Sequence, residues 1–282
     1  MTRRALPVWA VLALGLAGCG GNAAHRAPPA QPVLSVPTPA PTPGPPERLP
    51  AARACVAEGA PFAVARSRLA MARRSVVTGD RRALDPLVFS PRGGRCARPL
   101  IVFSHGHHGD PSSCAQLCSR LARAGFLVVA PHHEDRDRDR IPLQAGERVD
   151  DVLWVLDHLR ARYDRRRIGI AGHSFGGVIA GEAASEDPRF RAVLSMAGTA
   201  GHGTMASTTA PTLIMAGTRD PIETAQNSRA SARAIPSTIP HELLVVRGAR
   251  HGQLLEGCRQ IGVCRLVERR AVGFFARHLA GL

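Results

Sequence analysis

Lysine is absent from this chain, so all 37 residues counted as Lys+Arg are arginines. They face 22 Asp and Glu, for a formal charge of +15. Arginine is the better clamp for phosphate and carboxylate groups, which would suit an anionic surface. A compositional bias against lysine accounts for the same counts and is the reading favoured here. Aromatic residues are also scarce, at 4%. They do not interleave with the basic residues, so the chain lacks a stacking platform for bases, and no nucleic-acid partner is expected. The core must be mainly aliphatic and alanine. The cysteine spacings C-x3-C and C-x5-C match none of the usual zinc patterns, and no metal or other cofactor is expected. The apolar run from Ala5 to Leu16 is too short to cross a bilayer as a stable helix.

The N-terminus is nonetheless ordered by composition. Met1-Thr-Arg-Arg4 is basic, Ala5 to Leu16 is apolar, and Leu16-Ala17-Gly18-Cys19 follows directly. The series resembles a bacterial lipobox. That resemblance implies lipidation of Cys19 and cleavage before it, with 1–18 as signal peptide. Gly20, rather than Asp, follows Cys19. By resemblance to the bacterial sorting rule, this implies anchoring in the cell envelope at the outer membrane, facing the periplasm or the exterior. Residues 19–51 are rich in proline and alanine without apolar periodicity and read as a tether. At ~3 Å per residue such a tether holds a domain several tens of Å from its anchor. The folded domain is expected at 52–282.

With Cys19 set aside, six cysteines remain, an even number suited to an oxidising compartment. They allow about fifteen pairings. The favoured set is Cys114–Cys118, Cys258–Cys264 and Cys55–Cys96. The first spans one helical turn, where disulfide geometry is awkward.

From residue 60 onward, apolar runs alternate with helical patterns. An early hairpin is expected over Phe62–Ala70 and Arg74–Val77, with strands at Leu84–Ser90, Pro99–His105, Phe126–Ala130, Ile168–Ala171, Ala192–Met196, Pro211–Ala216 and Glu242–Val246. Helices are expected at Ser113–Ala124, Glu147–Tyr163, Phe175–Ser185, Thr224–Ala234 and Val263–Leu279. Continuously apolar strands between helices indicate an α/β fold, with a mostly parallel sheet covered on both faces. Ligands of such sheets sit at the carboxyl ends of strands.

Each polar motif falls at such an end. Gly172-His173-Ser174-Phe175-Gly176 lies between a strand and a helix, the arrangement of a nucleophile elbow. A sharp turn there lifts the serine hydroxyl clear, and the flanking glycines avoid collisions. Serine needs an adjacent base. Asp220 and His251 follow the ends of two later strands, and the order Ser174, Asp220, His251 is that of the α/β-hydrolases. Glu223 and His202 are the reserve acid and base.

These motifs resemble the α/β-hydrolase superfamily over roughly residues 60–282. The resemblance implies catalysis by Ser174, Asp220 and His251. Phe103-Ser-His105-Gly106-His107-His108-Gly109 is similar to the superfamily's oxyanion segment, which makes the main-chain N–H groups of His107 and Phe175 the expected donors. With Ala124-Gly-Phe-Leu-Val-Val-Ala-Pro-His132-His133, it resembles the group of dienelactone-hydrolase-like proteins, platelet-activating-factor acetylhydrolases and cutinase-like polyester hydrolases. True dienelactone hydrolases use cysteine, so Ser174 argues against that activity. The short interval between Met196 and Thr212 leaves no room for a large lid. His105, His107, His108, His132 and His133, with Asp110 and the charged run 134–140, gather at neighbouring strand ends, but their spacing fits no metal motif.

The resulting expectation is a lipid-anchored serine hydrolase acting on carboxylic esters of small molecules or lipids. A peptidase or amidase would share every one of these residues. A non-catalytic envelope lipoprotein would need none of them.

Overall fold

The computed structural model describes residues 62–66, 69–74, 81–84, 86–92, 97–133, 145–255 and 260–281. The expected signal peptide, the tether and the charged run 134–140 lie outside them. So do Cys55, Cys96 and Cys258, and with them two of the expected disulfides.

The chain opens with four strands, β1 (Phe62–Arg66), β2 (Leu69–Arg74), β3 (Arg81–Leu84) and β4 (Leu87–Pro91). Strands and helices then alternate: β5 (Arg98–Ser104), α1 (Ala115–Arg123), β6 (Leu127–Ala130), α2 (Ala145–His158), β7 (Tyr163–His173) and α3 (Phe175–Glu186). The second half holds β8 (Phe190–Met196), α4 (His202–Ala206), β9 (Thr212–Gly217), α5 (Ala225–Ala234), β10 (His241–Val246) and α6 (Ile261–Phe275).

Eight strands make one sheet in the order β1-β4-β6-β5-β7-β8-β9-β10. The pairs from β6 to β10 are parallel, and β1 and β4 add an antiparallel edge. The alternation along β5 shows how the two faces are covered. Ile101 and Phe103 pack with Leu117 and Leu121 of α1 and Phe274 and Phe275 of α6. Leu100 and Val102 pack with Val152 and Leu156 of α2 and Ile179 and Ala183 of α3. This is the doubly covered, mostly parallel sheet of an α/β-hydrolase, as expected from its apolar strands. The chain winds from β5 outward to β6, then returns to lay β7 on the other side of β5. That reversal opens a crevice beyond the carboxyl ends of β5 and β7.

Three expectations are corrected. β1 pairs with β4, not with its neighbour in sequence, and β2 pairs with β3 in a separate two-stranded sheet. The helix expected over Glu147–Tyr163 ends at His158, because its apolar repeat runs out at Leu159. Tyr163 instead opens β7 opposite Arg98, and its hydroxyl donates to the Leu156 carbonyl at 3.0 Å.

The third concerns Cys114 and Cys118, which are free thiols. Their sulfurs lie 3.2 Å apart, against about 2.05 Å for a disulfide. They sit one turn apart where a 3-10 turn meets α1, and the Cys114 thiol donates to the Pro111 carbonyl. Burial, and then the adjacent Cys114, pushes the Cys118 thiol well above its ordinary pKa.

Between β8 and β9 the chain carries only the five-residue α4. It was not expected, because five residues are too few to display an amphipathic repeat. Among the described residues, no helix is long and apolar enough to cross a membrane.

Candidate active site

β7 ends at His173 and α3 begins at Phe175, so the chain reverses at a single residue. Ser174 sits there at φ 56° and ψ −126°. Positive φ is costly for a residue with a side chain and persists only when its surroundings impose it. Here the neighbours are glycines with no room to spare. A Cβ on Gly172 would lie 1.9 Å from the Gly176 carbonyl oxygen, one on Gly176 2.0 Å from the Ser104 oxygen, and one on Gly198 2.0 Å from the Ser174 oxygen. The Ser174 amide donates to the Met196 carbonyl at 2.8 Å, and the Gly177 amide donates to the Ser174 carbonyl at 2.8 Å.

β9 and β10 run parallel in register and bring the other two polar loops together. The amides of Thr218 and Arg219 donate across to the carbonyls of Val246 and Ala249. Gly217 permits this approach, since a Cβ there would fall 2.3 Å from the Ala249 oxygen. Asp220 leaves one loop and His251 the other. Asp220 Oδ2 lies 2.8 Å from His251 Nδ1, and His251 Nε2 lies 2.8 Å from Ser174 Oγ. A carboxylate at Nδ1 keeps the ring proton there, which leaves Nε2 to accept from the serine hydroxyl. The other carboxylate oxygen, Oδ1, accepts from the amides of Ile222 and Glu223 at 2.8 and 2.9 Å. The His251 main chain is anchored too, its carbonyl accepting from His173 Nε2 at 3.0 Å.

Neither reserve residue is hydrogen-bonded to Ser174 or His251 among the described contacts. Glu223 accepts from the hydroxyls of Thr199 and Ser228. Burial pushes its carboxyl above the ordinary glutamate value, against the opposing pull of those hydroxyls. His202 stands exposed at the start of α4.

The segment after β5 runs against Ser174. A Cβ on Gly106 would come within 3.3 Å of Ser174 Cβ. The exposed His107 sets its ring edge-on to that of Phe175, with 5.8 Å between centroids. The Gly106 carbonyl accepts three hydrogen bonds, from His105 Nδ1 at 2.8 Å, Arg148 Nη2 at 3.0 Å and the Gly109 amide at 3.1 Å. Arg148 Nη1 donates to the His105 carbonyl at 2.7 Å, and its guanidinium lies 5.0 Å from the centre of the Phe175 ring.

The histidine cluster behind this segment is part of the same scaffold. Ser104 Oγ lies 2.9 Å from His133 Nε2, and His133 Nδ1 lies 2.7 Å from Asp151 Oδ2. The His133 amide donates to His105 Nε2 at 3.1 Å, so His105 carries its proton on Nδ1. Ser104, His105, His133, Arg148 and Asp151 are all fully buried.

Arg148, Asp151 and His173 were missed in the sequence. A signal for the first two existed. Positions 148, 151, 152 and 155 share one helical stripe, so two charged residues interrupt the apolar face of α2.

Comparison with known proteins agrees with this architecture. A family model described as PET hydrolase-like matches residues 46–272. Cutinase 1 of Thermobifida cellulosilytica is 28% identical over 160 residues, 54% of this chain and 59% of its own. Platelet-activating factor acetylhydrolase of Cavia porcellus is 27% identical over 149 residues, 35% of this chain and 34% of its own. The chain thus spans little more than half the length of the first of these relatives and a third of the other. A crystal structure assigned as a dienelactone hydrolase from Klebsiella pneumoniae superposes with a TM-score of 0.64 at 17% identity, over 76% of this chain and 99% of that one. At that identity the likeness speaks for the fold alone.

Proposed function

This chain belongs to the PET hydrolase-like family, and we propose that it is a serine hydrolase cleaving carboxylic esters through an acyl-enzyme. The observation that carries the reading is the unbroken relay from Asp220 through His251 to Ser174, with 2.8 Å at each contact.

In the first half-reaction, Ser174 Oγ attacks the ester carbonyl while His251 Nε2 takes its proton. Asp220 remains ionised and stabilises the imidazolium, its carboxylate fixed by two backbone amides. The main-chain N–H groups of His107 and Phe175 hold the oxyanion. Collapse of the tetrahedral intermediate breaks the ester C–O bond, and His251 hands its proton to the departing alcohol. Water then repeats the sequence on the acyl-serine, releasing the acid and restoring Ser174. The short connection between β8 and β9 suits an open cleft, and with it esters presented on a surface or bearing short acyl chains. The cutinase and acetylhydrolase relatives support ester chemistry at this site.

Reaction with a fluorophosphonate probe tests the proposal. Wild-type protein should label and turn over p-nitrophenyl esters. Ser174→Ala should do neither, with kcat lower by roughly a thousandfold or more. Unchanged labelling of the alanine variant would refute the mechanism. The same reading places the protein in a bacterial envelope through a lipid on Cys19, supported by the tetrapeptide Leu16-Ala17-Gly18-Cys19.

A further inference from the structure

We propose that Arg148 is a positioning residue of the oxyanion hole. It touches no reacting atom and acts through the two residues whose amides would hold the oxyanion. The inference rests on the serine-esterase reading above.

The argument begins with the peptide joining Gly106 to His107. In a trans peptide the C=O and N–H point in opposite directions. Whatever grips the Gly106 oxygen therefore aims the His107 N–H. Three donors converge on that oxygen: His105 Nδ1, the Gly109 amide and Arg148 Nη2. Only Arg148 brings a formal charge from outside the loop. Its second nitrogen holds the preceding carbonyl, that of His105, at 2.7 Å. The planar fork thus fixes two successive peptides of one turn, a grip that a point-charge ammonium cannot reproduce. Donation to the carbonyl also polarises the peptide and strengthens its N–H as a donor.

The same guanidinium lies 5.0 Å from the centre of the Phe175 ring. Phe175 carries the other expected donor, at the first position of α3. One buried cation therefore braces both sides of the hole. Its own orientation comes from α2, where the neighbouring residue on the same stripe, Asp151, binds His133, whose amide in turn donates to His105. A fully buried arginine is expensive to keep. Here the guanidinium grips the two carbonyls of the turn that carries one expected oxyanion donor.

The test uses the full-length protein in detergent, with Arg148→Met and Arg148→Lys variants. Five quantities are read: kcat and KM on a p-nitrophenyl ester, the inhibition constants of a trifluoromethyl ketone and of the matching methyl ketone, and the thermal midpoint. The ketone forms a serine adduct bearing an oxyanion, whereas the matching methyl ketone binds largely in the ground state.

For Arg148→Met, kcat should fall about 100- to 1000-fold with KM changed less than about threefold. Trifluoromethyl ketone affinity should fall in parallel, and methyl ketone affinity should hold. Arg148→Lys, which keeps the charge and loses the fork, should recover part of kcat. It also serves as the deciding variant if Arg148→Met does not fold.

A folded Met variant with near-wild-type kcat overturns the proposal. So does a loss of kcat that leaves trifluoromethyl ketone affinity untouched, because a merely structural role would behave that way. Full activity in Arg148→Lys overturns the claim for the fork. Failure of the wild type to label with fluorophosphonate, or to prefer the trifluoromethyl over the methyl ketone, strikes the underlying esterase reading instead.

Discussion

Asp220 divides its carboxylate between two tasks. One oxygen closes a turn onto the amides of Ile222 and Glu223, and the other orients the imidazole of His251. Asp220→Asn should therefore leave the turn largely intact while disturbing the imidazole, lowering kcat by roughly 10⁴-fold. Glu223→Gln should stay near wild type in kcat, because Glu223 bonds to Thr199 and Ser228 and not to the ring. Its effect should appear in stability. Folding raises the Glu223 pKa, chiefly through burial, so the folded state penalises the ionised form. That penalty is absent below the ordinary glutamate pKa and grows as pH rises through the raised folded value. The glutamine variant should gain thermal midpoint over wild type at pH 8 and lose that advantage near pH 4. A constant difference across that range would contradict the assignment. At this scale, Ser174, Asp220 and His251 could be read from the sequence because each lies in a short motif whose order has chemical meaning. Arg148, Asp151 and His173 could not, because their roles depend on contacts between distant segments.

The elements convert these residues into a site by bringing main chain against main chain. Gly198 lies where a Cβ would press on the Ser174 carbonyl at 2.0 Å, while a Cβ on Gly252, beside His251, would meet nothing within 4 Å. Gly198→Ala should displace the strained turn and reduce the fluorophosphonate labelling rate at least about tenfold, whereas Gly252→Ala should stay within about twofold of wild type. Equal rates in the two variants would count against steric control of the elbow. The parallel strands were legible at this scale because burial on both faces makes them continuously apolar. The antiparallel edge was not: which of β2 and β4 pairs with β1 depends on long-range competition that local pattern does not encode. The charged positions on the apolar stripe of α2 left a pattern in the sequence that was not read, and their buried hydrogen bonds explain it.

At the scale of the whole molecule, the domain is one part of the proposed arrangement, joined through residues 19–51 to a lipid at Cys19. Phase separation in Triton X-114 of protein made in a bacterial host checks this. The wild type should enter the detergent phase, and Cys19→Ala should remain in the aqueous phase with its esterase activity retained. Partition of both into water would remove the anchor from the account. The overall layering could be anticipated because a chain of alternating apolar strands and helices has few ways to cover both faces of a sheet.

The strand order distributes the proton relay unevenly. The proposed nucleophile, Ser174, follows β7, within the sheet, while the proposed base, His251, follows β10, one of its two edge strands. Glu242 of that strand pairs with Arg270 of α6 and with Arg277 just beyond the end of α6. These pairs are exposed and add little to stability on their own. Were the sheet to open from this edge first, the base would leave before the centre gave way. The catalyst would fall silent while most of its architecture still stood, disarmed from the margin inward.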